Sequence, residues 1–207
     1  MGRALVAVNT APESENRMHG DEARRFGFAS GLVPGVDVLA YLAHEGVAHW
    51  GSPWLAGGRL QGRLDAPVYD GEPVEVEVVE VADRLDVCVV GPDGAAPAYL
   101  DEISETHPAF RDGGCAHPGW LLRFANWALS GTVRLGPWIH VSSDASFLAS
   151  VRDGDEVEVR AIVTDRLEAK GHEFVDLRVL YIVEGSPVGL VDHRAIWQPR
   201  ARRTDGT

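Results

Sequence analysis

The chain carries one pattern twice, about 83 positions apart, and this limits its folds more than any other feature. Asp70 to Val79 reads Asp-Gly-Glu-Pro-Val-Glu-Val-Glu-Val-Val, and Asp153 to Ile162 reads Asp-Gly-Asp-Glu-Val-Glu-Val-Arg-Ala-Ile. The offset is 83, and five of the ten positions are identical. Asp83-Arg84-Leu85-Asp86 is echoed by Asp165-Arg166-Leu167-Glu168 at offset 82, and Pro34-Gly35 by Pro118-Gly119 at offset 84. The turn at Gly94 falls opposite the turn at Gly185. Single matches of this kind are common, but four collinear ones indicate a duplicated unit. The 207 residues therefore read as a first unit with its N-terminal segment over 1–105, a second unit over 106–198 and a loose polar tail over 199–207.

Each unit has the same order of elements. After Pro-Gly comes an apolar segment, Val36 to His49 in the first unit and Trp120 to Leu129 in the second. Val38, Leu39, Leu42 and Ala43, like Leu121, Leu122, Phe124, Ala125 and Ala128, spread around the axis, which predicts a helix buried on most sides. Gly46 and Gly131 are the expected breakers near the helix ends. Strands follow. Val74, Val76 and Val78 alternate with Glu75 and Glu77, and Val157, Val159 and Ala161 alternate with Glu158 and Arg160. Further strands are expected at Leu85 to Val90, Ala96 to Ile103, Glu173 to Val183 and Val188 to Trp197, with hairpin turns at Pro92-Asp93-Gly94 and Glu184-Gly185. No βαβ alternation is present, so a parallel Rossmann sheet is excluded. The expected class is α+β, an antiparallel sheet wrapped round a buried helix. That is the hotdog arrangement, here used twice in one chain as a double hotdog. Fusing two units covers edge strands that a single one leaves open.

Lys and Arg number 19 and Asp and Glu 31, for a formal net charge of −12. Such a chain repels phosphate backbones and anionic bilayers, so neither nucleic acid nor membrane is an expected partner. Pairs such as Glu75/Glu77 and Glu156/Glu158 fall on the wet faces of matching strands, so much of the charge is a solvated coat. Two cysteines, Cys88 and Cys115, make no disulfide framework and point to a reduced, cytoplasmic setting. No apolar run approaches the ~20 residues of a membrane span. Met1 to Val8 has neither a full apolar region nor a cleavage site, so no signal peptide is read there.

The first unit alone carries Ser14-Glu15-Asn16-Arg17-Met18-His19-Gly20-Asp21, then Ala23, Phe26-Gly27-Phe28 and Gly31-Leu32-Val33-Pro34-Gly35. Over residues 14–42 this resembles the MaoC-like hydratase/dehydratase family of hotdog proteins. That family shows Asp-x-Asn-Pro-x-His-x-Asp, an Ala, Gly-Phe and an Ile-x-His-Gly turn into its helix. Asn16, His19, Asp21, Gly27-Phe28 and Gly35 fall at matching places. Three positions depart from the pattern: Ser14 replaces the catalytic Asp, Arg17 the Pro, and Pro34 the His before the helix glycine.

The resemblance implies addition of water across an enoyl thioester, or its reverse, on CoA or a carrier protein, with no bound metal or redox cofactor. His19 would act as base or acid, and Asn16 would orient the water or hold the His. Glu15 (or Glu13) would stand in for the missing Asp. The N–H groups near Gly35 would hold the thioester oxygen at the positive start of the helix, where glycine allows close approach. Asp21 and Arg17 complete the expected substrate-binding set, and Arg17, Arg24 and Arg25 supply local positive charge for CoA. A homodimer of such chains is a further expectation. Two alternatives stay open: a hotdog thioesterase driven by a carboxylate such as Glu15, and a non-catalytic acyl-ligand or partner-binding protein in which Asn16 and His19 only brace a loop.

Other motifs point to less chemistry. His44 and His49 are five apart, about 140° round a helix, so they fail the i, i+4 spacing of a zinc motif. No Gly-x-Ser-x-Gly elbow, Walker loop or Gly-x-Gly-x-x-Gly is present. The six tryptophans suit core packing and contact between halves, with Trp50 and Trp54 as lesser candidates for an acyl pocket. His140 and Asp144, at i and i+4 on one strand, share a face and are lesser candidates to serve the site from the second half. Thr106-His107-Pro108 stands where the second unit would need its own motif, and no Asn-x-x-His accompanies it, so one site per chain is expected.

Overall fold

The computed structural model describes residues 3–81, 84–90, 99–112, 114–132, 136–152 and 154–200. The protein is α+β. Strands are β1 (Arg3–Val6), β2 (Arg59–Arg63), β3 (Pro73–Val81), β4 (Arg84–Val90), β5 (Ile139–Phe147), β6 (Glu158–Ala169), β7 (His172–Val183) and β8 (Ser186–Gln198). Helices are α1 (Gly35–Trp50), the short α2 (Tyr99–Glu102) and α3 (Pro108–Arg111), and α4 (Pro118–Thr132). Among the described residues all pairing is antiparallel, in a three-stranded sheet β1-β3-β4 and a five-stranded sheet β2-β5-β8-β7-β6. This is the element set that a hotdog fold uses.

The alternation expected at Val74 to Val78 translates into burial, whereas in β6 Ala161 is exposed together with Ile162 and Val163. Val74 and Val76 are buried while Glu75 and Glu77 face solvent. Each such valine contributes roughly 1.5–3 kcal/mol relative to an exposed one. α1 is buried on most sides through Val36, Val38, Leu39, Ala40, Tyr41, Ala43 and Val47. α4 buries Leu121, Leu122, Ala125 and Leu129 into the same core as Val36, Leu39 and Ala43.

The spacing of 83 recurs in the backbone. α1 begins at Gly35 and α4 at Pro118. Pro34 O accepts from the N–H groups of Asp37 and Val38, and His117 O from those of Trp120 and Leu121. Isolated antiparallel bridges join Leu32 to Tyr69 and Cys115 to Arg152. β2 and β5 pair around Gln61 opposite Asp144, with Arg59 opposite Ser146 and Arg63 opposite Ser142.

Several expectations are corrected. Tyr99–Glu102 is helical, where a strand was expected over Ala96 to Ile103; residues 96–98 lie outside the described residues. α1 runs through Gly46 and ends at Gly51, φ +74°. Gly46 serves packing instead, because a Cβ there would meet the Trp54 ring at 2.8 Å. Arg84-Leu85-Asp86 opens β4, after its hairpin turn, whereas Arg166-Leu167-Glu168 lies in β6, before its turn. That echo therefore does not mark equivalent places, and the Pro-Gly echo at offset 84 is one residue out of step with the helix starts, which are 83 apart. The turn at Gly94 lies outside the described residues.

α1 and α4 are joined by a buried ion pair. Asp37, fully buried in the first turn of α1, accepts from Arg123 Nε at 3.1 Å and Nη2 at 3.0 Å, and from Thr10 Oγ1 at 2.6 Å. Removing one partner leaves the other charge uncompensated in a low dielectric. Arg123→Ala is expected to lower the unfolding free energy by about 3 kcal/mol or more. Urea unfolding checks this, and a loss within ~0.5 kcal/mol would show the pair to be no tie between the helices.

Candidate active site

The N-terminal segment folds against α1 as two turns of 3-10 helix, Arg17–His19 and Asp21–Phe26. Asn16 caps the first, its Oδ1 accepting from Met18 N at 3.3 Å. The same Oδ1 accepts from Trp138 N at 3.1 Å, while Nδ2 donates to Trp138 O at 3.0 Å. One buried amide thus ties the turn to the strand entering β5. Leu32 N–H donates to Met18 O at 2.9 Å, which holds the turn to the chain that leads into α1.

These bonds set the state of His19. Its Nδ1 stands 2.7 Å from Leu32 O, an acceptor only, so Nδ1 carries the proton. Its Nε2 stands 3.2 Å from Asn16 Nδ2, which is a donor because Asn16 Oδ1 is taken up by two N–H groups. His19 is therefore the Nδ1–H tautomer, with its lone pair on Nε2. Burial lowers its pKa, against the opposing pull of Leu32 O and Asp37, so the ring stays neutral at pH 7.

Asn16, His19 and Gly35 line one cavity of about 170 Å³, with Phe28, Leu32 and Val38 among its apolar walls. Such a lining suits an apolar group and leaves the polar atoms few and placed. Gly35 is closely approached by Leu64 and His140. A Cβ there would lie 2.6 Å from His140 Nδ1 and overlap Leu64 Cδ1. Glu15 and Arg17 are solvent-exposed. Asp21 pairs with Arg24, and Glu22 with Arg17 and Arg25. Glu15, Arg17 and Asp21 do not line this cavity. Ser14 Oγ donates to Asn16 O at 3.3 Å. Trp50 and Trp54 also lie elsewhere: Trp54 packs on Phe147, and Trp50 stacks over Trp54. Among the described residues, no three His, Cys, Asp or Glu side chains are grouped as a metal site.

The second half supplies His140, one of the lesser candidates from the sequence, and Asn126, which the sequence pattern did not single out. His140 and Asn126 line the cavity, and His140 Nδ1 and Asn126 Oδ1 are buried without a hydrogen-bond partner. A β-bulge between His140 and Ser142 shifts the parity of β5. His140 and Asp144 consequently do not share a face. His140 points inward with Ser143, and Asp144 binds Arg59 and Gln61 outside. A second polar cluster lies at the start of α4. Buried Glu105 accepts from His44 Nδ1 at 2.6 Å, His107 N at 2.6 Å and His117 Nε2 at 3.1 Å. Burial alone would raise the Glu105 pKa; the hydrogen bonds from His117 and His44 override it and hold the carboxyl well below its ordinary value.

No protein-family model and no curated protein matches the chain. Among solved structures it is similar to the ChsH1-ChsH2 complex from Mycobacterium tuberculosis, at TM-score 0.29 and 11% identity over 98% of this chain and 86% of that chain. No helix is long and apolar enough to cross a membrane among the described residues.

Gly35→Ala is expected to cost about 1–3 kcal/mol by overpacking and to displace His140 or Leu64 from the cavity. Urea unfolding together with a crystal structure of the variant checks it; an unshifted cavity at unchanged stability would contradict the close approach. Stability is also expected to depend on pH. Burial lowers the pKa of His140 to about 4 and that of His193 well below its ordinary value. Unfolded, each takes up a proton near 6.5. Their contribution is complete above pH 6.5 and is lost as pH falls toward 4, at about 1.4 kcal/mol per pH unit for each ring. Glu105 adds its own loss only below about pH 4.5, the ordinary value of its carboxyl. Urea midpoints over pH 7 to 4 should therefore fall, and His193→Asn should flatten the slope by about one proton. A flat profile would mean that these histidines are not held neutral.

Proposed function

We propose that the protein is a double-hotdog acyl-thioester hydratase or dehydratase of MaoC-like type, with one site per chain. Its units would divide as the sequence repeat divides. The observation that carries this is the pairing of a neutral histidine, its lone pair on Nε2, with the N-terminus of α1 across one small apolar cavity.

The chemistry follows from that pairing. In hydration, His19 Nε2 takes a proton from water as the water oxygen bonds to the β-carbon of an enoyl thioester. Electron density moves to the thioester oxygen, which sits at the start of α1, where free N–H groups and the helix dipole favour negative charge. Nε2–H then returns its proton to the α-carbon, and the atoms balance to a 3-hydroxyacyl thioester. Dehydration is the reverse. Asn16 keeps its two bonds to Trp138 throughout, so its longer contact to Nε2 can give way to water without loss of the turn. The ligand would be the thioester of CoA or of a carrier protein, with the phosphopantetheine arm as part of the substrate and no metal. Arg17, Arg24 and Arg25 stand on the exposed side of the same turns and would meet its phosphates.

Crotonyl-CoA tests this with hydration and free thiol followed in parallel. Hydration without thiol release is expected. Release of CoA would mean a thioesterase, and neither would leave a binding protein. His19→Ala should lower kcat/KM at least 100-fold. Because burial lowers the His19 pKa, the acidic limb of kcat/KM should fall at a pH below 6.5. Full activity in His19→Ala would remove His19 from the mechanism.

A further inference from the structure

The geometry points to His140 as a second substrate-contacting group, donating an Nδ1–H hydrogen bond to the acyl carbonyl oxygen at the start of α1, with Ser143 and His193 as positioning residues that set its tautomer. This rests on the acyl-thioester reading and names a group that the motif does not contain.

His140 is nine-tenths buried, lines the cavity and abuts Gly35, yet its Nδ1 has no partner. Buried polar nitrogens are almost always paired, so an unpaired one on a ring that lines a cavity marks a ligand contact. The ring also meets the Ser142 backbone, and its other nitrogen is engaged. Nε2 stands 3.0 Å from Ser143 Oγ, and that oxygen stands 2.9 Å from His193 Nδ1. The two imidazoles stack at 4.4 Å, and His193 Nε2 has no partner either.

A serine hydroxyl has one proton, so this chain has two neutral arrangements. In one, His193 Nδ1–H donates to Ser143, Ser143 donates to His140 Nε2, and His140 presents Nδ1–H to the cavity. In the other, every bond is reversed and Nδ1 presents a lone pair. Burial disfavours the charged form of both rings, so the choice lies between tautomers and not between charge states. The cavity already holds one lone pair at His19 Nε2 and one acceptor at Asn126 Oδ1. A carbonyl oxygen can only accept. Brought to the start of α1, it finds the backbone N–H groups and, beside Gly35, this one side-chain nitrogen. Its arrival selects the first arrangement. No proton leaves the chain, so the net charge of the triad is unchanged.

The experiment uses the full chain. Side-chain ¹⁵N spectra of histidine-labelled protein report the tautomer, with butyryl-CoA as an unreactive probe and crotonyl-CoA for turnover. With butyryl-CoA bound, His140 should be protonated at Nδ1 and bare at Nε2, and Ser143→Ala should lower that fraction. His140→Leu should lower kcat about 100-fold, the usual loss for one oxyanion donor. His140→Asn, whose amide N–H overlays Nδ1, should recover activity to within about tenfold of wild type. Protonation at Nε2 in the butyryl-CoA complex overturns the proposal even if every variant misfolds. So does a folded His140→Leu within threefold of wild-type kcat, and in either case a His19-dependent hydration leaves the hydratase standing. If butyryl-CoA does not bind and crotonyl-CoA is not turned over, the hydratase falls and the role of His140 falls with it.

Discussion

The pairing of β2 with β5 is the constraint on which the site depends. β2 follows α1 in the first half, yet it joins the five-stranded sheet of the second half. Because the pairing is centred on Gln61 and Asp144, it places the start of β5 beside the start of α1. Trp138 then meets Asn16, and His140 meets Gly35. The cavity is lined from both halves, and neither half alone holds all its polar atoms. The Asp37–Arg123 pair adds a second tie between the halves, helix to helix. A fluctuation that separated them would have to break a strand ladder and expose a buried carboxylate together.

Burial gives the histidines of this protein their character. His19, His117, His140 and His193 all have lowered pKa values, and desolvation is the leading cause for each. Neutral imidazoles are ambident: each carries one donor and one acceptor, and neighbours choose which is which. Leu32 O makes that choice for His19. His140 meets the Ser142 backbone and the hydroxyl of Ser143, which can bond either way. One ring thus has its tautomer fixed by a carbonyl, and the other faces a rotatable hydroxyl.

Much of the fold was legible because period and punctuation agreed. The Val-Glu alternation at β3 and the two apolar helices match their burial. The first-unit motif likewise led to Asn16, His19 and Gly35, which meet at one cavity. What escaped was set by tertiary contacts. β2 is Arg-Leu-Gln-Gly-Arg, too short and polar to announce a strand, and its partner supplies the reason it forms. The β5 bulge cannot be seen in a period-two pattern, so His140 was grouped with Asp144 when its real neighbour is Ser143. Gly46 read as a breaker because the Trp54 ring that requires it is distant from any local pattern. Glu15, Arg17 and Asp21 are grouped with the site by closeness in sequence, but their side chains face solvent or neighbouring charges.

The two helix starts, 83 residues apart, explain why one of them is suited to a ligand. Pro34 and His117 occupy matching places, as do Gly35 and Pro118. At the second start, His117 Nδ1 accepts from Gly119 N–H at 3.1 Å, and Pro118 has no N–H to offer. His117 Nε2 is spent on Glu105. That helix end is therefore capped by the chain itself, and the carboxylate beside it would repel an incoming oxygen with negative charge. At the first start, Pro34 has no side-chain donor or acceptor, and no side chain caps α1. Glycine follows, and the facing histidine keeps a nitrogen free. Two backbone positions of like geometry thus differ in capping: the second is bonded by the chain's own His117, while the first, whose buried first-turn carboxylate Asp37 is paired with Arg123, has no side-chain cap and faces a cavity.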